Sequence, residues 1–248
     1  MMSYRVLIRR EIYRRIKKVK YKNNKILESA IEVRFNQVEN FDRLLLLLIK
    51  DIDFLDIKDT SIMNLPEDIR KKEANLRFKP WKNIFVKDNI VISVGPSVLS
   101  IVNQNKYNGW DLNFEWFCKQ FSKIKSSTNK IFRVGVRYVD FFEGLDDFLS
   151  YFKLKISSEF SIDKMSLSEK ATIQTHLNFD DGCKSNLVLS SEALVLDKKG
   201  GLLDFDVYCE DENISSEEEV FKRIDVLHIH SLDVFDKITT ENLKKIIS

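Results

Sequence analysis

Glycine and proline are scarce in this sequence, whose 248 residues include only 7 glycines and 3 prolines. Glycine-rich loops that cradle phosphate groups, and long flexible linkers, depend on backbone conformations that glycine adopts most readily. Neither feature is therefore expected. The apolar fraction of 44% and the charged fraction of 31% are ordinary for a globular protein. A chain of this length buries enough surface to fold without a cofactor, and no cofactor is predicted.

Cysteines and long apolar runs are also few. Cys118, Cys183 and Cys209 are odd in number and far apart, so neither a disulfide framework nor a CxxC metal-binding pair is predicted. A reducing cytoplasm is the expected location. The longest apolar run, residues 44–49, is far shorter than the roughly 20 residues that a membrane-spanning helix needs. The sequence predicts no transmembrane segment and no secretory signal.

Positive charge is concentrated in residues 1–22, which contain nine Lys and Arg against one Glu. The remaining residues carry 31 basic and 37 acidic groups. Ile8, Ile12 and Ile16 fall on one stripe of a helix, and basic amphipathic helices bind nucleic acid, anionic membranes or acidic partners. A solvated extension and an upstream start codon are alternative interpretations. The candidate nucleic-acid-binding residues of this basic N-terminal extension are Arg9, Arg10, Arg14, Arg15, Lys17 and Lys18.

Apolar periodicity predicts strands where it has a period of two and helices where it repeats every three or four residues. In the first half, the predicted strands are residues 26–35, three segments within 83–103, and 131–142, and the predicted helices are 41–55 and 109–125. In the second half, a short helix at 146–152 precedes strands at 170–180, 185–196 and 201–210, joined by Asp-Gly and Gly-Gly turns, and helices at 217–238 and 240–247.

Each half thus consists of strands followed by a covering helix, although no sequence repeat is visible. We predict an α+β fold with a largely antiparallel sheet covered by helices. The predicted organisation is a basic extension at residues 1–22 and one domain at 23–248. That domain has two similarly built halves, 23–144 and 145–248.

Charged residues line one face of the strand at 26–35. Glu28 and Glu32 lie four residues apart, with Arg34 on the same face, and Arg133 and Arg137 have the same spacing in the strand at 131–142. Side chains on neighbouring strands pair across a sheet, so we predict that these two strands are adjacent and form a ladder of ion pairs. Exposed ion pairs contribute only about 0–1 kcal/mol each. These five residues are therefore candidates for binding a partner protein.

The segment RFKPWK, residues 77–82, interleaves aromatic and basic residues. Aromatic rings stack on bases and cations contact phosphates, so this pattern favours nucleic-acid binding. The alternative is that Phe78 and Trp81 cover the edge of the core while the lysines stay in water. The candidate nucleic-acid-binding residues here are Arg77, Lys79, Trp81 and Lys82.

Reactive groups do not form a recognisable catalytic pattern. His228 and His230 are two apart on a predicted helix, where they point about 200° from each other and cannot share a metal ion. Asp180, Asp181 and the pair Asp204 and Asp206 would collect Mg²⁺ for hydrolysis only if the fold brought them together. Neither a catalytic residue nor a metal ligand is predicted from these spacings.

Several motifs together resemble a sporadically distributed family of bacterial and archaeal proteins with no assigned activity. They are ILESAIEVRF, then VGPSVLSIVN followed by YNGW, then RVGVRYVD, and finally LHIHSLDVFDKITTENLKK. They cover most of the chain from about residue 22, in the order of the family. The resemblance implies one α+β unit that begins near Tyr21, and the basic N-terminal extension lies outside it.

The leading functional hypothesis is a non-enzymatic cytoplasmic adaptor or scaffold that binds another protein through a charged sheet face or a strand edge. The partner to test first is the product of a neighbouring gene. The second hypothesis is a nucleic-acid-binding module that uses the basic N-terminal extension and RFKPWK, with the face that carries Arg133 and Arg137 as a further contact. The third is a metal-dependent hydrolase or nuclease.

Overall fold

A single nine-stranded antiparallel sheet organises the chain. The computed structural model describes residues 25–105, 107–128, 130–153, 171–211, 214 and 216–247. The strands are β1 (Ile26–Phe35), β2 (Phe54–Asp59), β3 (Lys82–Val86), β4 (Ile90–Gly95), β5 (Val98–Gln104), β6 (Ile131–Glu143), β7 (Thr172–Asn178), β8 (Lys184–Val195) and β9 (Lys198–Cys209). Their order across the sheet is β2-β3-β4-β5-β1-β6-β9-β8-β7.

Helices follow the strands in both halves. The described α-helices are α1 (Phe41–Ile49), α2 (Glu67–Lys72), α3 (Trp110–Ile124), α4 (Glu217–Ile238) and α5 (Glu241–Ile247). Ser216 caps α4, because its hydroxyl accepts a hydrogen bond from the Glu219 amide at 3.1 Å. None of the described helices is long and apolar enough to cross a membrane.

The two halves are built alike. In the first, β1 pairs with β5, the last strand of the meander β2 to β5, and α3 follows. In the second, β6 pairs with β9, the last strand of the meander β7 to β9, and α4 follows. The opening strands β1 and β6 pair with each other and join the halves into one sheet. The predicted α+β fold with an antiparallel sheet and two similar halves is confirmed.

Side chains that alternate along β1 and β6 are divided between two faces of the sheet. One face meets α3 and α4. Asn113 of α3 donates a hydrogen bond to the Ser29 hydroxyl at 2.6 Å, and the Tyr138 hydroxyl lies 2.9 Å from Nδ1 of His228 on α4. Ile31 on this face is 1% exposed. The core therefore lies between the sheet and these two helices, and the intervening residues of β1 and β6 point to the opposite face.

The predicted helix at 41–55 is too long. α1 ends at Ile49, and Asp51 adopts a positive φ of 61°, which turns the chain away from the helix axis. Phe54 then begins the edge strand β2, which pairs with β3. Backbone hydrogen bonds to a neighbouring strand thus override the local preference of the apolar run.

The predicted Gly-Gly turn between β8 and β9 is also wrong. The hairpin turns at Leu196 and Asp197, whose φ angles of 47° and 64° fit a two-residue type I′ turn. Gly200 and Gly201 lie inside β9 instead. A Cβ on Gly201 would overlap the Phe148 ring, so glycine is required there for space rather than for a turn.

The basic N-terminal extension lies outside the described residues. Its candidate nucleic-acid-binding side chains, from Arg9 to Lys18, therefore remain sequence predictions.

A carboxyl group is buried on the helix-facing side of β6. Asp140 lies between Ile26 of β1 and Leu203 of β9 and is 7% exposed. Burial raises the pKa of Asp140 from 3.8 to about 7, because the carboxylate loses hydration in the core. His228 is also buried, and burial lowers its pKa to about 3.

We expect Asp140→Asn to change the pH dependence of folding. Because the pKa of Asp140 is higher in the folded state, its contribution favours folding below about pH 4 and is lost as the pH rises to about 7. Over this interval the free energy of unfolding should fall more in the natural protein than in Asp140→Asn. Urea denaturation at a series of pH values measures the difference in the free energy of unfolding between the two proteins. The contribution of His228 cancels in this difference, because both proteins contain it. Identical pH profiles would contradict the expectation.

Candidate functional site

Three strands at the middle of the sheet carry charged side chains on the face opposite α3 and α4. β1 and β6 pair Arg34 with Arg133 and Glu32 with Gly135. β6 and β9 pair Arg137 with Asp206. Seven charged residues on this surface, which we call the ladder face, are Glu28, Glu32, Arg34, Arg133, Arg137, Asp204 and Asp206.

The Arg133 guanidinium joins acidic groups of two different strands. Its Nη1 donates to Oε1 of Glu32 on β1 at 2.6 Å, and its Nη2 donates to Oδ1 and Oδ2 of Asp206 on β9 at 2.8 and 2.6 Å. The guanidinium also lies over the Tyr208 ring, 4.5 Å from its centroid, where a cation–π interaction adds to the ion pairs. Only 8% of the Arg133 side chain is exposed. Arg133 is therefore fixed on three sides.

Gly135 leaves the space in which the Arg133 side chain lies. A Cβ at position 135 would be 2.9 Å from Nη1 and 3.3 Å from Nη2 of Arg133. In the cross-strand register, Gly135 lies between Glu32 of β1 and Tyr208 of β9. The glycine of RVGVR thus allows the guanidinium to lie flat across the strand and reach both neighbours.

Arg137 forms a second, more exposed group of ion pairs. Its Nε and Nη2 donate to Oδ1 and Oδ2 of Asp204 at 2.8 and 2.7 Å, and its Nη1 lies 3.9 Å from Oε1 of Glu28. The hydrogen bonds with Asp204 raise the pKa of Arg137 above its ordinary value. Its side chain is 46% exposed, so part of this guanidinium remains accessible to a partner.

Burial also affects an acidic group of the ladder face. It raises the pKa of Asp206 above its ordinary value, although the adjacent Arg133 opposes that shift.

The predicted ladder between Glu28, Glu32, Arg133 and Arg137 is confirmed, since each glutamate contacts one of the two arginines. The bidentate partners of the arginines were missed. They are Asp204 and Asp206, which the sequence analysis considered only for Mg²⁺ binding. Their two-residue spacing in β9 puts both on one strand face, and this signal could have identified them.

Basic side chains surround two aromatic rings beside the ladder face. The rings of Phe78 and Phe132 have centroids 6.1 Å apart. The Arg77 guanidinium lies 5.1 and 5.0 Å from these two centroids. Arg34 lies 5.4 Å from the Phe78 centroid, and Nζ of Lys130 lies 5.3 Å from that of Phe132. We call these five residues the cation–aromatic cluster.

A cleft of about 350 Å³ connects the cation–aromatic cluster to the ladder face. The residues that line it are Arg34, Phe78, Phe132, Arg133 and Glu210. Phe132 is the extra residue of a β-bulge, because β1 pairs Arg34 with Arg133 and Phe35 with Ile131. The bulge disrupts the regular alternation of side chains at Phe132.

The other candidates in RFKPWK do not join Arg77 in the cluster. Trp81 packs edge-on against Phe41 of α1, with ring centroids 5.1 Å apart. Lys82 begins β3 and forms an ion pair with Asp59. Lys79 is exposed. The segment therefore divides between the cluster, the core edge and the solvent.

The carboxylates proposed for Mg²⁺ binding are separated by their partners. Asp204 and Asp206 each accept two hydrogen bonds from an arginine, and Asp181 contacts Nε2 of His230 at 2.8 Å. This arrangement gives the hydrolase hypothesis no geometric support.

The comparisons with known proteins assign no family to the chain. No family model and no curated protein match it. One similar solved structure is described as "KH domains", with 7% sequence identity and a TM-score of 0.19. The alignment covers 89% of this chain and 64% of that chain. A TM-score this low carries no argument about fold or function.

We expect Arg133→Ala to destabilise the protein much more than Arg137→Ala. Without Arg133, the carboxylates of Glu32 and Asp206 lose their largely buried counter-charge, at a cost of about 3–5 kcal/mol. The exposed ion pairs of Arg137 contribute about 0–1 kcal/mol. Urea denaturation of both variants measures the two losses in the free energy of unfolding.

Gly135→Ala is the matched variant for this comparison, because it keeps every charge and displaces the Arg133 guanidinium. It should destabilise the protein in the same direction as Arg133→Ala. Equal stability losses for Arg133→Ala and Arg137→Ala would contradict this account of the ladder face.

Proposed function

We propose that this protein is a non-enzymatic cytoplasmic adaptor or scaffold that binds another protein through the ladder face. The observation that carries the proposal is a network of opposite charges, held across three strands but still partly open to solvent. Glu28 is 31% exposed, Arg34 33% and Arg137 46%.

Stability alone does not account for such a network. Exposed ion pairs contribute little, and well-packed apolar residues often replace buried ion pairs without loss of stability. A fixed guanidinium, in contrast, is well suited to recognition because its planar donors match carboxylates. Holding these side chains in place before binding also reduces the entropy lost when the partner docks.

The arrangement of charges indicates the chemistry of the partner. Four carboxylates and three guanidinium groups alternate over the ladder face. Arg34 and Arg137 are the two more exposed cations. A complementary partner presents acidic groups to these two arginines and basic groups to the carboxylates, which sets register and association rate.

The β2 edge of the sheet is a less suitable docking surface than the ladder face. β2 is one edge of the sheet, and it carries Asp56, Lys58 and Asp59. Charged residues on an edge strand oppose the addition of a further strand. The ladder face has no comparable obstacle.

We expect the double variant Arg34→Glu/Arg137→Glu to lose binding to a co-purifying protein. Both side chains are exposed enough for reversal without leaving a fully buried charge, whereas Arg133 is not. The experiment is co-purification of the tagged full chain with the product of the neighbouring gene, followed by titration calorimetry of each variant.

The matched control is Lys198→Glu/Lys237→Glu, which changes the net charge equally at two exposed positions outside the ladder face. Binding lost only in the arginine variant supports the proposal. Equal losses in both variants, or unchanged binding in the arginine variant, would reject the ladder face as the docking surface.

Nucleic-acid binding is a second candidate function, favoured by the cation–aromatic cluster. Phe78 and Phe132 offer rings for base stacking, and Arg34, Arg77 and Lys130 provide cations for phosphates. This combination of stacking surfaces and positive charge is typical of proteins that bind single strands.

We expect Phe78→Ala to weaken binding to single-stranded RNA by about tenfold, because a stacked base contributes about 1–3 kcal/mol. Binding should also weaken steeply as salt is added. Fluorescence anisotropy with labelled RNA measures both effects, with Lys237→Ala as the control. Affinity that is indifferent to salt and to Phe78→Ala would exclude this role for the cluster, and a truncation of residues 1–22 separately tests the basic N-terminal extension.

A further inference from the structure

A group of metal-ligating side chains lies away from the ladder face, where the β7–β8 turn meets α4. Asp181 and Cys183 belong to the turn, and His230 projects from the middle of α4. One ligand atom from each of these residues lies within 4.8 Å of the other two. Among the residues that the structure describes, this is the group of three or more His, Cys, Asp or Glu side chains that meets this criterion.

Hydrogen bonds already draw these groups together. Oδ2 of Asp181 is 2.8 Å from Nε2 of His230, and Oδ1 of Asp181 accepts a hydrogen bond from the Cys183 amide at 3.1 Å. The tight turn depends on Gly182, whose φ of 82° lies in the left-handed region. The carboxylate and the thiol thus approach the histidine from the same short segment.

The histidine ring is held by a second contact. Phe179 stacks on His230, with ring centroids 4.2 Å apart and an angle of 22° between the planes. The Phe179 amide also donates to the Cys183 carbonyl at 2.9 Å, which closes the turn. Phe179 therefore positions both the His230 ring and the β7–β8 turn.

A further sulphur adjoins the group. Lys184 pairs with Tyr208 across β8 and β9, so Cys183 and Cys209 occupy the next cross-strand position. Both cysteines are buried, at 1% and 5% exposure. Cys209 therefore lies beside Cys183, although its sulphur is not among the ligand atoms that all lie within 4.8 Å of one another.

We propose that Asp181, Cys183 and His230 bind Zn²⁺, with the Cys209 sulphur available for the fourth tetrahedral position. Thiolate, imidazole and carboxylate are the ligands that zinc uses in proteins, whereas Mg²⁺ and Ca²⁺ prefer sites made of oxygen atoms. The separations of up to 4.8 Å need only small side-chain adjustments to reach zinc–ligand bonds of about 2.0–2.3 Å.

The positions of the ligands determine which parts of the fold a bound zinc ion connects. The ligands come from the β7–β8 turn, from α4 and, through Cys209, from the end of β9. Zinc therefore ties the middle of α4 to one end of the sheet in the second half. A site closed by four protein ligands is structural rather than catalytic, so this inference is independent of the proposed binding function. Because the ligands must be deprotonated, zinc affinity falls at low pH.

The test uses the purified full chain, kept reduced so that Cys183 and Cys209 remain thiols. Titration with Zn²⁺ against a chromophoric chelator gives stoichiometry and affinity, and titration with Co²⁺ gives an absorption spectrum. We expect one zinc ion per chain, a raised Tm, tetrahedral cobalt bands and a thiolate-to-cobalt charge-transfer band.

Two variants identify the ligands. His230→Gln changes a partly exposed side chain and should weaken zinc binding by at least about tenfold. Cys183→Ser should reduce the charge-transfer band, and Cys183→Ser/Cys209→Ser should remove it. Cys118→Ser is the matched control, because Cys118 lies on α3 outside the group, and it should bind zinc as the natural chain does.

Absence of stoichiometric zinc binding by the natural chain overturns the proposal. So does zinc affinity that is unchanged in His230→Gln, or a cobalt spectrum without a thiolate band. Far-ultraviolet circular dichroism of each variant separates ligand loss from unfolding.

Discussion

The antiparallel pairing of β1 with β6 is the contact on which the rest of the structure depends. It joins two similarly built halves into one sheet. The same register puts Gly135 opposite Glu32, so that Arg133 can reach across the strand to a carboxylate on each side. A shift of one residue would turn the charged side chains of β1 into the core. The fold and the ladder face are therefore set by the same hydrogen bonds.

The two candidate sites differ in how they are assembled. The ladder face takes side chains from both halves and exists only when the central strands are paired. The zinc ligands come from the second half alone, from a turn, a strand end and a helix. The ladder face therefore forms only when the two halves are joined, whereas the zinc site stabilises the half that contains α4.

Periodicity in the sequence was sufficient for the long helices and for every strand except β2, because alternating apolar residues indicate which face is buried. It missed β2, whose first residues were assigned to the helix at 41–55. It was also sufficient for the ladder between β1 and β6, since the four-residue spacings of the glutamates and arginines match. It was not sufficient for Gly200 and Gly201, where the required information is the position of the Phe148 ring, a contact between segments distant in sequence. The zinc ligands Cys183 and His230 were missed for the same reason, because 47 residues separate them and no spacing rule connects them.

The central place of β1 also affects how the chain is made. β6 begins about 100 residues after β1, so β1 leaves the ribosome well before its neighbour is synthesised. Until β6 is synthesised, a nascent first half presents one side of β1 as an unpaired edge, and such edges invite pairing with other chains. The interval between the two strands is thus a period of exposure during translation, which ends when the second half of the sheet begins to form.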